Sequence, residues 1–131
     1  MQSVLQFLKE NETFYFATQD GDQPRVRPFG AVAIVDDKLC FTTAKRKNVY
    51  EQMQKNPKVE ISTTAPGGRW LRLSGVAVTD ECREIKESML EACPALRNIY
   101  SEDDDVFCVF HLENATATFY SFTEPPRTVT F

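Results

Sequence analysis

The stretch Thr13-Phe-Tyr-Phe-Ala-Thr-Gln-Asp-Gly-Asp-Gln-Pro-Arg-Val-Arg-Pro-Phe-Gly-Ala-Val-Ala-Ile-Val35 decides the fold class. Thr13–Thr18 is aromatic and β-branched, the side chains that suit a pleated, half-buried surface. Asp20-Gly21-Asp22 is a turn signal. Arg25–Val35 reads as a second, long strand, and Pro28 inside it predicts an edge position or a bulge. Asp36-Asp37 makes the next turn, and Lys38–Thr43 closes a hairpin.

Outward from this core the period changes. Ser3-Val4-Leu5-Gln6 has capping-box form, so a short helix is predicted from there to about Asn11. Val49 and Met53 lie four apart, which predicts a helix over Lys47–Lys55, stopped by Asn56-Pro57. Lys58–Thr64 and Trp70–Thr79 read as strands around the Ala65-Pro66-Gly67-Gly68 loop. Asp80 is the expected cap of a third helix, in which Ile85, Met89 and Cys93 share a face. Asp103-Asp104-Asp105 is a solvated turn. Val106–Leu112 and Ala115–Thr123 complete the set, and the tail after Glu124-Pro125-Pro126 has room for a short strand. About seven strands and three short helices result, a mainly β protein built as a barrel or a curled antiparallel sheet.

The 131 residues predict one domain over 1–131. Lys+Arg is 15 against Asp+Glu 19, a net charge of −4 that argues against a nucleic-acid binder. No apolar stretch approaches the length of a membrane helix, and no secretion signal is read, so a cytoplasmic protein is expected. Cys40, Cys82, Cys93 and Cys108 form no C-x-x-C pair and are expected to be reduced and mostly buried. His111, the one histidine, excludes a paired-histidine metal site within one chain. In an apolar strand it reads as a hydrogen-bonded structural residue. No metal site and no catalytic triad are predicted.

Three cationic groups could carry chemistry. Lys45-Arg46-Lys47 follows Phe41-Thr42-Thr43 at a strand end and opens a helix. Helix-start N–H groups, Thr hydroxyls and basic side chains together suit a phosphate. A solvated charge run would look the same, although a basic run at a helix start opposes the dipole preference. Arg25 and Arg27 lie two apart on a strand and share a face. They form either the wall of an anion cleft or the guards of an exposed edge. Arg69-Trp70-x-Arg72 follows a Gly-Gly loop, where Trp70 could stack on a ligand, plug an interface or fill a core.

Taken in order, Ala17-Thr18, Asp20-Gly21, Pro24-Arg25-Val26-Arg27-Pro28-Phe29-Gly30, Phe41-Thr42-Thr43, Asn56-Pro57-Lys58-Val59-Glu60 and Leu71-Arg72-Leu73-Ser74-Gly75 resemble the pyridoxamine 5′-phosphate oxidase-like, FMN-binding split barrels. The resemblance runs from about Val4 to Val78. It implies a six-stranded antiparallel split β-barrel and a homodimer with FMN at the interface. It assigns the phosphate to Thr42, Thr43, Arg46, Lys47 and Asn48. Arg25, Val26, Arg27 and Pro28 inherit contacts to ribityl, phosphate or ring, and Trp70 and Arg72 lie where the partner subunit reaches the site. Flavin chemistry would then pass electrons from NAD(P)H to a small organic acceptor, with no protein acid or nucleophile required. The chain ends Pro126-Arg127-Thr128-Val129-Thr130-Phe131, without the Arg-x-His element of the true oxidases, so vitamin B6 oxidase activity is not expected. The short build is more similar to nitroimidazole-reductase and general-stress members. A non-catalytic flavin module, or the same barrel holding deazaflavin or haem, is the alternative.

Overall fold

The computed structural model covers residues 1–131. Its elements are α1 (Gln2–Glu10), β1 (Phe14–Asp20), β2 (Gln23–Phe29), β3 (Val32–Val35), β4 (Lys38–Ala44), α2 (Asn48–Lys55), β5 (Lys58–Ala65), β6 (Arg69–Asp80), α3 (Arg83–Ala92), a short 3-10 helix (Pro94–Asn98), β7 (Phe107–Tyr120) and β8 (Arg127–Thr130). The strands form one antiparallel sheet in the order β2-β1-β5-β6-β7-β4-β3, with β8 paired to β7.

That order forces the sheet to curl. Laid flat, its two edge strands would stand roughly 29 Å apart at about 4.8 Å per neighbour. Yet β2 and β3 are joined by Gly30-Ala31 alone, a bridge that reaches at most about 11 Å. The edges therefore meet, linked by chain and not by a ladder. This is a barrel with a slit. Aromatic contacts across the interior agree: Phe16 of β1 lies 4.7 Å from Phe29 of β2, 6.4 Å from Phe41 of β4 and 5.4 Å from Phe110 of β7, measured between ring centroids.

Two cores result. The barrel interior holds the Phe cluster with Leu71, Leu73 and Ile61, closed by Val4, Phe7 and Leu8 of α1 and by Val49 and Met53 of α2. The second core lies outside β3, β4 and β7. There Ala33, Cys40, Phe107 and Val109 are covered by Met89 and Leu90 of α3 and by Tyr100.

Several expected boundaries differ. Arg25–Val35 is two strands, because the chain leaves one sheet edge and enters the other at Gly30-Ala31. Pro28 does lie on an edge strand, since β2 pairs only with β1. Val106–Leu112 and Ala115–Thr123 are one continuous strand. The polar Glu113-Asn114 pair marks a bulge, where Asn114 takes φ +52° and the β6–β7 register shifts beside Gly75. Asp80 does not cap α3: it ends β6, and Cys82 occupies the cap position. Ser3 caps nothing, for α1 begins at Gln2, and Gln6 Nε2 donates to Glu10 instead. The sheet holds eight strands.

His111 is a buried structural residue, held at Nδ1 by Asp80 (2.7 Å) and at Nε2 by Glu113 (3.1 Å). This clasps β6 to β7 at the bulge. All four cysteines are free. Burial pushes the Cys40 thiol up to about 11 and that of Cys108 up to about 12. It also raises Cys93, which is half-buried, whereas Cys82 is exposed. The thiolate is the nucleophile. A thiol reagent at neutral pH is therefore expected to label Cys82 first, Cys93 slowly, and Cys40 and Cys108 only after unfolding. Mass spectrometry of the labelled native protein checks this order.

Candidate functional site

A cleft of about 830 Å³ opens at the slit of the barrel. One wall is polar. β2 brings Arg27, the end of β4 brings Thr42 and Thr43, and the start of α2 brings Lys47 and Asn48. The other wall is apolar and comes from the segment after α3, chiefly Cys93, Pro94, Leu96 and Tyr100. Pro28, Phe29, Gly30 and Ala31 line the floor between them. No carboxylate lines the cleft.

Each polar group has a reason to be there. β4 and β7 pair up to Ala44↔Phe107, and the chain then turns through Lys45 and Arg46 into α2. The ends of β4 and α2 are thus brought together. Lys47 holds the N-cap position in extended conformation, and no side chain caps the helix. The Asn48 and Val49 N–H groups are available to an acceptor, while that of Tyr50 donates to the Lys47 carbonyl at 3.1 Å. The Thr43 hydroxyl is buried and has no hydrogen-bond partner. A buried polar atom left unpaired costs about 1–3 kcal/mol, and Thr43 is one of the residues that line the cleft. The same end of the cleft brings Lys47, the Thr42 hydroxyl and the start of α2. That donor set fits a phosphate monoester.

Arg27 is fixed by a closed set of bonds. Its Nη1 donates to Thr18 Oγ1 and its Nη2 to Gln52 Oε1, each at 2.7 Å. Thr18 Oγ1 in turn donates to the same Gln52 oxygen at 2.6 Å. Burial, and secondarily the neighbouring charge of Arg25, holds the Arg27 guanidinium below the usual arginine value.

Of the sequence-predicted residues, Arg27, Pro28, Thr42, Thr43, Lys47 and Asn48 converge on this cleft. Arg46 is exposed at the turn before α2 and does not line it. Lys45, its neighbour in the basic run, is drawn away to Glu81 at 3.1 Å. Arg25 shares a face with Arg27 but pairs with Asp20 at 3.3 Å. Val26 points outward, 66% exposed. Trp70 and Arg72 also lie off the cleft, on the outer face of β6. Trp70 stacks on Tyr120 at 4.0 Å, and the Arg72 guanidinium sits 5.5 Å from the Trp70 ring centre.

Sequence reasoning missed the wall from Cys93 to Tyr100 and the clamp residues Thr18 and Gln52. Nothing local tells which loop packs across a barrel. Gln52 does carry a signal: it lies four residues after Asn48, hence on the same helix face.

Residues 1–119 match the pyridoxamine 5′-phosphate oxidase family. The chain belongs to that family. A NimC/NimA family protein from Clostridium acetobutylicum is 46% identical and superimposes with a TM-score of 0.97, over 100% of this chain and 92% of that one. A pyridoxamine 5′-phosphate oxidase-related, FMN-binding protein from Nostoc punctiforme shares the fold at 13% identity (TM-score 0.61; 99% and 95% covered). So does a heme-binding protein from Mycobacterium smegmatis at 16% identity (TM-score 0.73; 92% of this chain and 53% of that chain). No curated protein sequence matches. The mainly β, antiparallel split barrel expected from the sequence is the fold of this family member. No helix is long and apolar enough to cross a membrane.

Proposed function

We propose that this family member binds FMN in the cleft and is an oxidoreductase that passes electrons from NAD(P)H to a small organic acceptor. The unpaired, buried Thr43 hydroxyl, in a cleft also lined by Arg27 and Lys47, carries this reading. Thr42, Thr43, Lys47, Asn48 and the first turn of α2 would hold the phosphate, with Arg46 adding long-range attraction. Arg27, Pro28 and the apolar wall would bound the rest. The chemistry FMN supplies when bound is reversible two-electron transfer of the hydride type. The chain's role is to bind, to orient, to exclude water along Leu96 and Tyr100, and to set the local charge. The absence of any carboxylate in the lining supports an anionic ligand.

The reading includes a homodimer. The outer face of β2-β1-β5-β6-β7 is uncovered and in register: Pro28, Tyr15, Ser62, Arg72 and Thr118 form one cross-strand row, and Thr64, Trp70 and Tyr120 another. Tyr15 is 52% exposed on it. An aromatic-bearing sheet face of this kind suits a second copy, and Trp70 and Arg72 would then approach the partner's cleft.

An absorbance spectrum from about 300 to 600 nm, taken before and after adding FMN, tests the ligand. Flavin bands that co-elute with a dimer-sized species are expected, and FMN is expected to slow labelling of Cys93. A colourless protein that takes up no FMN removes the oxidoreductase reading. Thr43→Val tests the phosphate site with opposite signs. The ligand-free protein is expected to gain about 1 kcal/mol, because the orphan hydroxyl is gone. FMN affinity is expected to fall. Chemical denaturation and an FMN titration read the two effects, and a stability loss would show that Thr43 is satisfied by other means.

A further inference from the structure

The charge of Arg27 is not neutralised. No carboxylate stands within ion-pair distance of it, whereas Arg25, Arg72, Arg83 and Arg97 each have one. Its acceptors are all neutral: the Phe16 carbonyl at 3.3 Å, the Arg25 carbonyl at 3.5 Å, Thr18 Oγ1 and Gln52 Oε1. Gln52 is buried in α2 at 9% exposure. Its amide oxygen accepts from both Thr18 and Arg27, so both lone pairs are used and the amide orientation is fixed. A carboxylate at this position would accept the same two bonds more strongly. It would also cancel the guanidinium charge at the cleft wall.

We propose that Gln52 is a positioning residue whose neutral amide fixes Arg27 at the cleft while leaving its positive charge for an anionic ligand. α2 then serves the site twice. Its first turn faces the phosphate position, and Gln52, one turn on, sets the guanidinium. This rests on the reading of the cleft as an FMN site. Because reduced flavin can carry an added negative charge, an uncompensated Arg27 favours the reduced form over the oxidised one.

The test compares the full-length wild type with Gln52→Glu and Gln52→Leu. FMN binding is followed by flavin fluorescence, and the midpoint potential of bound FMN by equilibration with a reference dye. Gln52→Glu keeps both acceptor positions. It is expected to melt near the wild type, to bind FMN about tenfold more weakly, and to lose preference for the reduced form. Each tenfold loss of that preference moves a two-electron midpoint about 30 mV more negative. Gln52→Leu is expected to weaken binding without that negative shift, since the charge remains and only its placement is lost. Should Gln52→Leu fail to fold, Gln52→Glu decides alone. A Gln52→Glu protein with wild-type affinity and midpoint overturns the inference about Gln52 and leaves the cofactor reading standing. A wild type that takes up no FMN overturns both.

Discussion

Phe16→Ala is expected to destabilise the protein by about 3–5 kcal/mol, the range for deleting a buried aromatic ring. Phe16 is fully buried. Its ring is stacked on Phe29 at an interplanar angle of 9° and meets Phe110 edge-on at 70°. It also touches Phe41. These partners come from opposite ends of the strand order, so one side chain ties together β1, β2, β4 and β7. A domain of this kind has about 5–15 kcal/mol in total, so the loss is a large share of it. Urea unfolding measures the change. Phe122, which is 89% exposed, is the control: Phe122→Ala is expected to fall within about 0.5 kcal/mol of wild type. A loss below about 1.5 kcal/mol for Phe16→Ala would mean that the interior closes over the gap, and that the barrel is less firmly packed than its ring contacts imply.

The second large effect concerns the ligand and leaves the fold alone. Arg46→Ala combined with Lys47→Ala is expected to weaken FMN binding by a few kcal/mol at most, roughly tenfold to a thousandfold. Both side chains are exposed, and neither joins an ion pair. The melting temperature of the ligand-free protein is therefore expected to stay put. Lys47 lines the cleft and carries most of the loss. Arg46 acts from outside it, through a field that salt screens over about 8–10 Å. Its share should accordingly shrink as ionic strength rises. A titration at two salt concentrations separates the two. Unchanged affinity would sink the phosphate assignment without touching the family assignment.

Much of this architecture was legible from the residues. The β1–β2 and β3–β4 hairpins follow from aromatic and β-branched runs around Asp20-Gly21 and Asp36-Asp37. α2 follows from the Val49–Met53 spacing and the Asn56-Pro57 stop. Two of the errors share a cause, a local signal overridden at long range. Glu113-Asn114 looks like a turn but is a bulge inside a ladder that β6 holds on one side. Asp80 looks like a cap, but its carboxylate is committed to His111. Of the cleft, Thr42, Thr43, Lys47 and Asn48 were readable as a donor set at a strand end and helix start, whereas Lys45 and Arg46 of the same run lie outside it. Gln52 was not readable, since a glutamine on an amphipathic helix ordinarily faces solvent. Its partners Thr18 and Arg27 lie 34 and 25 residues away in the chain.

The slit between β2 and β3 has a kinetic consequence. In a closed barrel, a guest reaching the wall must first pull apart a pair of hydrogen-bonded strands, at about 1 kcal/mol for each bond broken. Here the cleft lies where no such bonds exist. Gly30 and Ala31 form part of its floor. No ladder bond crosses the slit, because β2 and β3 are joined only through Gly30 and Ala31. A ligand that uses this cleft need break no strand pair to enter or leave. Amides of β5, β6 and β7 are therefore expected to exchange no faster while FMN enters or leaves than in the ligand-free protein, and more slowly once FMN is bound, because a ligand of the native state raises its stability.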